Sequence, residues 1–489
     1  MITSVTFVFL FLPISILGYF LVSLTKNQVV AKIYLLLLTL FFCYWVQPET
    51  MFFFLFYSSV VYLVGNLIYE NKLRIASDTK KRLMWLIVSS LVAISTIFYY
   101  KLSSVIETDF FKSFYGDNTK IIIPIGLSFL VFTSISYIAD IYRGDAKAGK
   151  YLDTVLYLLF FPKLLSGPIV LWKDYQKDSF FINNSSQNIW VGIERICIGY
   201  AKKVIIADTL GSKIAEMHNV MHFGNPNFFS PGVLEQLPQT DIPMYWIAAL
   251  LYMFQIYFDF SGYSDIAIGL CKVFGVNIKE NFNYPYMSKS VGEFWRRWHI
   301  SLGSWFREYV YIPMGGSRKG NVYFNLLVVF AFTGIWHGIG WTFVIWGLVN
   351  GIAVIVERFF KNNNLSKYIP DFLGHIYIPI FLYFSWLLFS CYDFTQFVDY
   401  LKNMVRPIYD GELNFSWEYY FDNKIKITLL IAILGSIVGY IPFVKTKIEQ
   451  FLQYNVGKIT KAVVCLLLFV VSILFIVNST YSPFIYFQF

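Results

Sequence analysis

The chain has 489 residues, of which 57% are hydrophobic, 20% are aromatic and only 14% are charged. Soluble proteins carry about 25% charged residues, so this composition excludes an ordinary soluble domain and indicates an integral membrane protein. The net charge of +9 would suggest nucleic-acid binding in a soluble chain. In a membrane protein the excess of Lys and Arg in cytoplasmic loops explains it, and no nucleic-acid partner is expected.

Apolar stretches follow one another along the chain. A membrane-spanning helix needs about 20 mostly apolar residues, and on that basis the sequence predicts about 11 to 13 membrane helices, some broken or re-entrant. The stretch FFPKLLSGPIV at 160–170 is one such case, because Lys163, two prolines and a glycine interrupt it. The predicted fold class is an all-α polytopic membrane protein. The predicted helices cover residues 3–24, 33–47, 50–69, 83–100, 121–139, 154–171, 189–207, 242–260, 323–340, 341–356, 375–392, 427–444 and 462–480.

Metal binding has little support in the sequence. The five cysteines are scattered without metal-ligand or redox spacing. His218 and His222 are four residues apart and would share a face of a helix, but no third ligand lies nearby, so no metal site is expected.

The segment 272–320 is long, basic and rich in Trp and Tyr. From 291 to 309 its apolar residues recur at intervals of three or four, which predicts one amphipathic helix, interfacial or re-entrant, held at the cytoplasmic surface of the membrane. Pro313 and the glycines that follow it end the segment in a turn. The residues on the apolar face are Trp295, Trp298, Leu302, Trp305 and Phe306.

The basic side chains of this segment are candidates for binding an anionic donor such as the phosphates of coenzyme A, because arginine forks match phosphate geometry. Anionic lipid headgroups, or a plain excess of basic residues on the cytoplasmic side, are the alternative. The donor- or substrate-binding candidates are Arg296, Arg297, Arg307, Arg318 and Lys319, together with Trp295, Trp298, Trp336, Asp259 and Asp265.

His337 lies inside a charge-free run from 321 to 356, in the stretch FTGIWHGIGW. Ionisable side chains inside membrane segments are rare and indicate function by default. A buried neutral imidazole suits general-base catalysis, whereas a structural histidine joining two helices is the alternative. The flanking Gly334, Gly338 and Gly340 allow close helix packing or a narrow slot beside the ring.

His299, in FWRRWH, is the second candidate, although an interfacial histidine among tryptophans is also common. Together, one histidine near the cytoplasmic rim and one within the membrane suit a reaction that starts from a cytoplasmic donor and ends deeper. Asp259 and Asp265, in FDFSGYSD, could orient a histidine, but pairing with nearby arginines is the favoured interpretation.

Several long motifs, in order, resemble the membrane-bound O-acyltransferase superfamily, and most closely its bacterial alginate O-acetyltransferase branch. The resemblance runs from about residue 120 to 357 and returns at the C-terminal SPFIYFQF. The motifs are PIGLSFLVFTSISYIADIYRG, FFPKLLSGPIV, FDFSGYSDIAIGLCKVFG, FWRRWHISLGSWFREYVYIPMGGSRKG and FTGIWHGIGWTFVIWG.

The resemblance implies a helical membrane fold around a central tunnel, with the essential histidine at His337 and a second implicated histidine at His299. It implies one membrane domain over 1–489, made of N-terminal helices (1–118), a catalytic core (119–360) and C-terminal helices (361–489). It also implies an enzyme of the bacterial inner membrane, without a bound cofactor.

The implied activity is transfer of acetyl from a cytoplasmic donor, acetyl-CoA, across the membrane to an exported or cell-envelope polysaccharide. An SGNH-type acetyltransferase outside the membrane is the implied partner. His337 would act as a general base or as an acyl carrier. D-Alanyl transfer to teichoic acid, a transporter without covalent chemistry and a scaffold for a secreted transferase are the alternatives.

Overall fold

The computed structural model describes most of the chain, and the described residues are almost entirely helical. They cover 2–73, 79–103, 123–177, 186–221, 240–338, 340–364, 370–405 and 416–478. The C-terminal motif at 482–489 and His222 therefore lie outside the described residues.

The chain divides into two compact units, whose boundaries differ from the predicted segments 1–118, 119–360 and 361–489. The first unit comprises Met1–Ile196, Ser264–Glu280 and Ser301–Val310, and the second comprises Cys197–Tyr263, Asn281–Ile300 and Tyr311–Phe489. Four helices contribute residues to both units: Ser186–Tyr200, Ile242–Val273, Ile300–Phe306 and the π-helix Arg307–Tyr311.

The first unit has a core of buried aromatic and branched aliphatic side chains, with Tyr137, Tyr157 and Trp172 at its centre. The expected broken helix at 160–170 is confirmed, because the backbone turns at Phe160 and a new short helix begins at Phe161 with Pro162 in its first turn. Its other helices are Phe7–Phe11 (a π-helix), Leu12–Ser23, Gln28–Val46, Pro48–Thr50 (a 3₁₀ turn), Met51–Leu73, Thr79–Ser103, Leu127–Arg143, Tyr151–Leu159, Phe161–Leu164 and Trp172–Lys177.

The second unit has its largest core where aromatic side chains from several helices meet, including Trp298, Trp346 and Trp386. Its other helices are Ala201–Asp208 (a π-helix), Thr209–Val220, Pro285–Met287 (a 3₁₀ turn), Val291–Arg297, Val322–His337, Trp341–Asn362, Asp371–Ser390, Phe394–Val405, Trp417–Tyr420, Asn423–Ile437, Val438–Tyr440 (a 3₁₀ turn), Pro442–Phe451 and Asn455–Asn478.

Six helices in the described part of the chain are long and apolar enough to cross a bilayer, and two further apolar helices are shorter, Phe7–Ser23 and Val322–His337. Large apolar side chains on these helices are widely exposed, as expected for surfaces that face lipid. The protein is therefore a multi-pass membrane protein with an all-α fold. The six helices are Gln28–Val46, Pro48–Lys72, Trp341–Asn362, Asp371–Ser390, Asn423–Tyr440 and Asn455–Asn478.

The helices Val322–His337 and Trp341–Asn362 pack closely through glycines. A Cβ built on Gly334 would overlap the carbonyl oxygen of Phe343, and one built on Gly347 would lie 3.2 Å from the Cα of Gly334. Small residues let helix backbones approach in this way in membranes. Of the two expectations for the glycines around His337, close helix packing is therefore what the structure shows at Gly334.

Candidate active site

The segment with the FWRRWH motif is not the single helix that the sequence predicts. The helix Val291–Arg297 stops, Trp298 is extended, His299 is left-handed with φ of 45°, and a second helix begins at Ile300. A contact with a residue distant in the sequence explains this break in the helix: the carbonyl oxygen of Asn281 accepts a hydrogen bond from the N–H of Ile300 at 2.9 Å. A non-glycine residue with positive φ is uncommon and is often found at functional sites.

The aromatic face of this segment is buried in protein. Its predicted place at the cytoplasmic surface of the membrane stays a prediction. Trp298 in the second unit is 2% exposed and packs against Trp386, with ring centroids 4.7 Å apart. Trp305 in the first unit is 5% exposed, and its indole N–H donates to the carbonyl oxygen of Phe132 at 2.9 Å. The periodicity therefore marked buried contacts and gave no information on lipid.

His299 is fixed by one polar and one aromatic contact. Its Nδ1 lies 3.2 Å from Oδ1 of Asn281, and the edge of Phe260 meets the imidazole with centroids 4.6 Å apart. Because an amide oxygen only accepts, Nδ1 carries the proton and Nε2 carries the lone pair of the neutral ring. Burial lowers the pKa of His299 to about 3, so the ring is neutral at physiological pH.

His337 is the last residue of the helix Val322–His337 and is 5% exposed. Aromatic rings surround it: Trp346 meets it edge to face at 5.3 Å, Phe389 does so at 5.1 Å, and Trp336 lies at 4.5 Å. A neutral imidazole in such surroundings can act as a general base or as a nucleophile.

Trp336 links the two histidines. Its ring centroid is 6.3 Å from that of His299 and 4.5 Å from that of His337. The two imidazoles therefore lie no farther apart than the sum of these two distances. Residues that are 38 positions apart in the sequence thus share one neighbourhood inside the second unit.

Two buried hydrogen-bond donors lie in the same aromatic cluster. The indole N–H groups of Trp346 and Trp386 have no hydrogen-bond partner among the described residues, and their rings stack at 6.0 Å. A buried donor without a partner costs about 1–3 kcal/mol. These groups can donate to an acceptor oxygen of a small molecule, such as the carbonyl oxygen of an acyl group.

The predicted basic residues differ in their surroundings. Arg297 is engaged, pairing with Glu293 at 2.7 Å and lying 4.9 Å over the ring of Tyr440. Arg296 is exposed on the same helix, and Arg318 and Lys319 are exposed on the turn that precedes the helix Val322–His337. Arg307 is exposed in the first unit, so the structure does not gather all five candidates into the second unit.

The two aspartates of FDFSGYSD form ion pairs, in agreement with the favoured interpretation, though only one of the partners is an arginine. Asp265 in the first unit pairs with Arg195 at 2.7 Å. Asp259 in the second unit pairs with Lys203 at 2.7 Å, and Lys203 also contacts Asp208 at 2.5 Å. The sequence analysis missed this buried lysine, although a lysine in the apolar run 189–207 is itself a signal.

Two further contacts of the FWRRWH segment were also missed. Glu357 accepts from the backbone N–H groups of Val291 and Gly292, and Asn350 accepts from the indole of Trp295 at 3.3 Å. Glu357 is the first charge after the apolar run, a position that by itself indicates only the end of a membrane helix.

Metal ligands do not assemble in the described residues: no group of three or more His, Cys, Asp or Glu side chains there is placed to hold an ion. His218 lies on the helix Thr209–Val220, and its predicted companion is outside the described part of the chain.

An all-helical multi-pass protein with two buried histidines around one indole has the features of a membrane enzyme for acyl transfer. The chain belongs to the MBOAT, membrane-bound O-acyltransferase family, whose model matches residues 34–397. The protein is thus an O-acyltransferase. Neither the match nor the names of the relatives assigns a role to any individual residue.

Two of the relatives align over almost the whole chain, and a third aligns over about half of it. The chain is 31% identical to a peptidoglycan O-acetyltransferase of Helicobacter pylori, over 99% of this chain and 96% of that protein. It is 32% identical to a probable alginate O-acetylase AlgI of Pseudomonas putida, over 100% of this chain and 99% of that protein. A teichoic acid D-alanyltransferase of Bacillus subtilis is 28% identical, over 55% of this chain and 68% of that protein.

Proposed function

We propose that this protein takes acetyl from acetyl-CoA at the cytoplasmic face of a bacterial inner membrane and passes it across for O-acetylation of an exported or cell-envelope polysaccharide. The observation that carries the proposal is the pair of buried histidines, His299 and His337, which both contact the ring of Trp336. Full-length similarity to O-acetyltransferases of two different polymers supports acetyl as the group transferred.

Acetyl suits a buried site because it is small, so the bulky coenzyme can stay outside. The exposed Arg296, Arg318 and Lys319 are the proposed contacts for its phosphates. An SGNH-type acetyltransferase outside the membrane is the proposed partner that completes transfer to the polymer. D-Alanyl transfer to teichoic acid is the less favoured candidate, because that relative aligns with only 55% of the chain.

Two routes through His337 are chemically possible. As a general base, its imidazole takes the proton of an acceptor hydroxyl while the oxygen attacks the thioester carbonyl; the thiolate of coenzyme A leaves and takes that proton from the imidazolium, which restores the neutral ring. As an acyl carrier, its nitrogen attacks the thioester and expels the thiolate, which takes the proton of the acyl-imidazolium; the hydroxyl then attacks the acyl-imidazole, and its proton returns to the freed ring nitrogen. In both routes the indole N–H groups of Trp346 and Trp386 are candidates to stabilise the oxyanion.

The test uses acetyl-CoA labelled in the acetyl group, with the purified protein in vesicles and a hydroxyl acceptor. The wild-type protein is expected to transfer label, and His337→Ala to lose transfer by about 1,000-fold or more, whereas His375→Ala is the matched control. Acetyl esters on envelope polymers in cells carrying each variant give the second readout.

Transfer that persists in a stably inserted His337→Ala variant would refute the catalytic role of that residue. Flux of an intact solute without transfer of label would instead support a transporter. Label that stays on wild-type protein after rapid quenching, and is absent from the variant, would favour the acyl-carrier route over the general-base route.

A further inference from the structure

The helix Trp341–Asn362 presents three polar or aromatic residues on one face. Trp346, Asn350 and Glu357 are separated by intervals of four and seven residues, which places them along one side of an α-helix. Trp346 is 1% exposed and Asn350 is fully buried, so this side faces the interior of the second unit.

One end of this face contacts His337 and its middle contacts the His299 segment. Trp346 lies edge to face with His337 at 5.3 Å. Asn350 accepts a hydrogen bond from the indole of Trp295, and its amide donates to the hydroxyl of Ser385 at 3.1 Å. Both contacts lie within the second unit.

The far end of the face carries a carboxylate that binds the start of the same segment. Oε1 of Glu357 accepts from the N–H of Val291 at 2.5 Å, and Oε2 accepts from the N–H of Gly292 at 2.9 Å. The hydroxyl of Tyr377 donates to the same carboxylate. A negative charge at a helix N-terminus is favourable, and bonds to an ionised acceptor are stronger than neutral ones.

The segment supplies the remaining cap itself. The side chain of Ser290 accepts from the N–H of Glu293 at 3.0 Å, and the carbonyl oxygen of Ser290 accepts from the N–H of Phe294 at 2.9 Å. Three N–H groups that a helix leaves unsatisfied at its start, those of Val291, Gly292 and Glu293, thus have side-chain partners, and two of these partners are the carboxylate oxygens of Glu357.

We infer that Glu357 is a positioning residue for acyl transfer, holding the helix Val291–Arg297 so that His299, two residues beyond it, stays in register with His337. That helix is only about 10 Å long and moves as one body, so a displacement of its first residues displaces His299 by a similar distance. The inference rests on the proposed function in that both histidines serve the reaction. The helix Trp341–Asn362 then positions both histidines, because its Trp346 contacts His337 and its Glu357 binds the start of the His299 segment.

Glutamate is the residue that this role needs. A glutamine has one acceptor oxygen and would turn its NH₂ group towards the second backbone N–H, so one of the two bonds is lost and two donors face each other. The substitution preserves size and helix propensity, and it therefore tests the carboxylate and not the packing.

The experiment compares Glu357→Gln with Glu449→Gln, an exposed carboxylate on the helix Pro442–Phe451. Hydrogen exchange of the peptide covering 289–298 is measured by mass spectrometry, together with kcat and the KM for acetyl-CoA. We expect faster exchange at the start of this helix, a kcat lower by about 10- to 100-fold and a KM within about twofold in Glu357→Gln only.

Tyr377→Phe, which removes a single donor to the carboxylate, is expected to act in the same direction with a smaller loss of kcat, and it keeps the test valid if Glu357→Gln does not fold. Unchanged exchange in both variants overturns the inference, and so does faster exchange with unchanged kcat. Because exchange does not depend on catalysis, these outcomes differ from an active His337→Ala variant, which would overturn the proposed function.

Discussion

The surroundings of His299 and His337 are built in different ways. His337 ends a regular apolar helix, and its environment is made of rings and close glycine contacts. His299 sits in a break between two seven-residue helices, with a left-handed backbone and a polar contact to Asn281. One site depends on how two helices pack, whereas the other depends on a few specific hydrogen bonds.

The two sites therefore tolerate different kinds of change. Close packing of the two helices is disrupted when an atom is added at the glycine contact, because the added atom meets backbone atoms of the other helix, which cannot move aside as a side chain can. A hydrogen-bonded break fails when one partner is lost, and it responds to pH when the partner is a titratable ring. Substitutions that act on one mode and leave the other alone can separate the two sites.

The largest effect is expected from Gly334→Ala, which adds a methyl group where it overlaps the carbonyl oxygen of Phe343. The helices must separate, and overpacking of this kind costs about 1–3 kcal/mol of unfolding free energy. Displacement of His337 by about 1 Å should lower acetyl transfer by about 100-fold. Thermal unfolding and transfer of labelled acetyl measure both effects.

Gly340→Ala is the matched control, because a Cβ there has its nearest neighbour at 3.6 Å, an ordinary contact. It should keep its stability and activity. If Gly334→Ala behaves like this control, the close approach of the two helices does not determine the site.

The next effect concerns His299 and pH. Burial lowers the pKa of His299 to about 3, below its ordinary value of about 6.5 in an unfolded chain. Between these values the unfolded chain binds a proton that the folded protein excludes, so stability is lost as the pH falls below about 6.5. By pH 5 the loss from this group reaches about 2 kcal/mol at most.

His299→Gln removes that titration and keeps a hydrogen-bonding side chain. The wild-type protein should therefore lose more thermal stability than the variant between pH 7.5 and pH 5. Equal losses in the two proteins would show that His299 is accessible to protons in the folded state. The variant's activity at pH 7.5 reports separately on the role of the ring in transfer.

The smallest effect is expected from replacing Arg318 and Lys319 together by glutamine. Both are exposed, so stability should be unchanged. If they bind the phosphates of the donor, the KM for acetyl-CoA should rise by about three- to tenfold at low salt, and the difference should shrink as salt is added.

The double variant Lys445→Gln/Lys447→Gln, on the exposed helix Pro442–Phe451, is the control for loss of two positive charges. An equal rise in KM in this control would mean that net charge, and not these two positions, attracts the donor.

Composition and motif order were sufficient for the membrane class, the helical fold and the family. They also identified the broken helix near residue 160, because proline and glycine act locally on the backbone. The sequence also predicts both histidines as candidates, because an ionisable group in an apolar or aromatic context can be recognised without knowledge of its partners; their roles stay predictions.

The break at His299 could not be predicted in this way. Local periodicity over 291–309 favours one helix, and the bonds that interrupt it come from Asn281 and Asn283, which have no distinguishing pattern. Asp259 is a similar case, since its partner is a lysine more than 50 positions earlier in the chain. Contacts between residues distant in the sequence determine both the break at His299 and the ion pair of Asp259, and local propensity gives no information on such contacts.

Lys203 and its two carboxylates, Asp208 and Asp259, have a consequence for membrane insertion. An ammonium group in an apolar segment is costly to leave in lipid alone, and Asp208 follows it in the same π-helix. The second carboxylate arrives only when the helix Ile242–Val273 has been synthesised. The charge of Lys203 is therefore fully paired only after this later helix has been made. Stable insertion of the segment around Lys203 into the membrane thus depends on insertion of the helix Ile242–Val273.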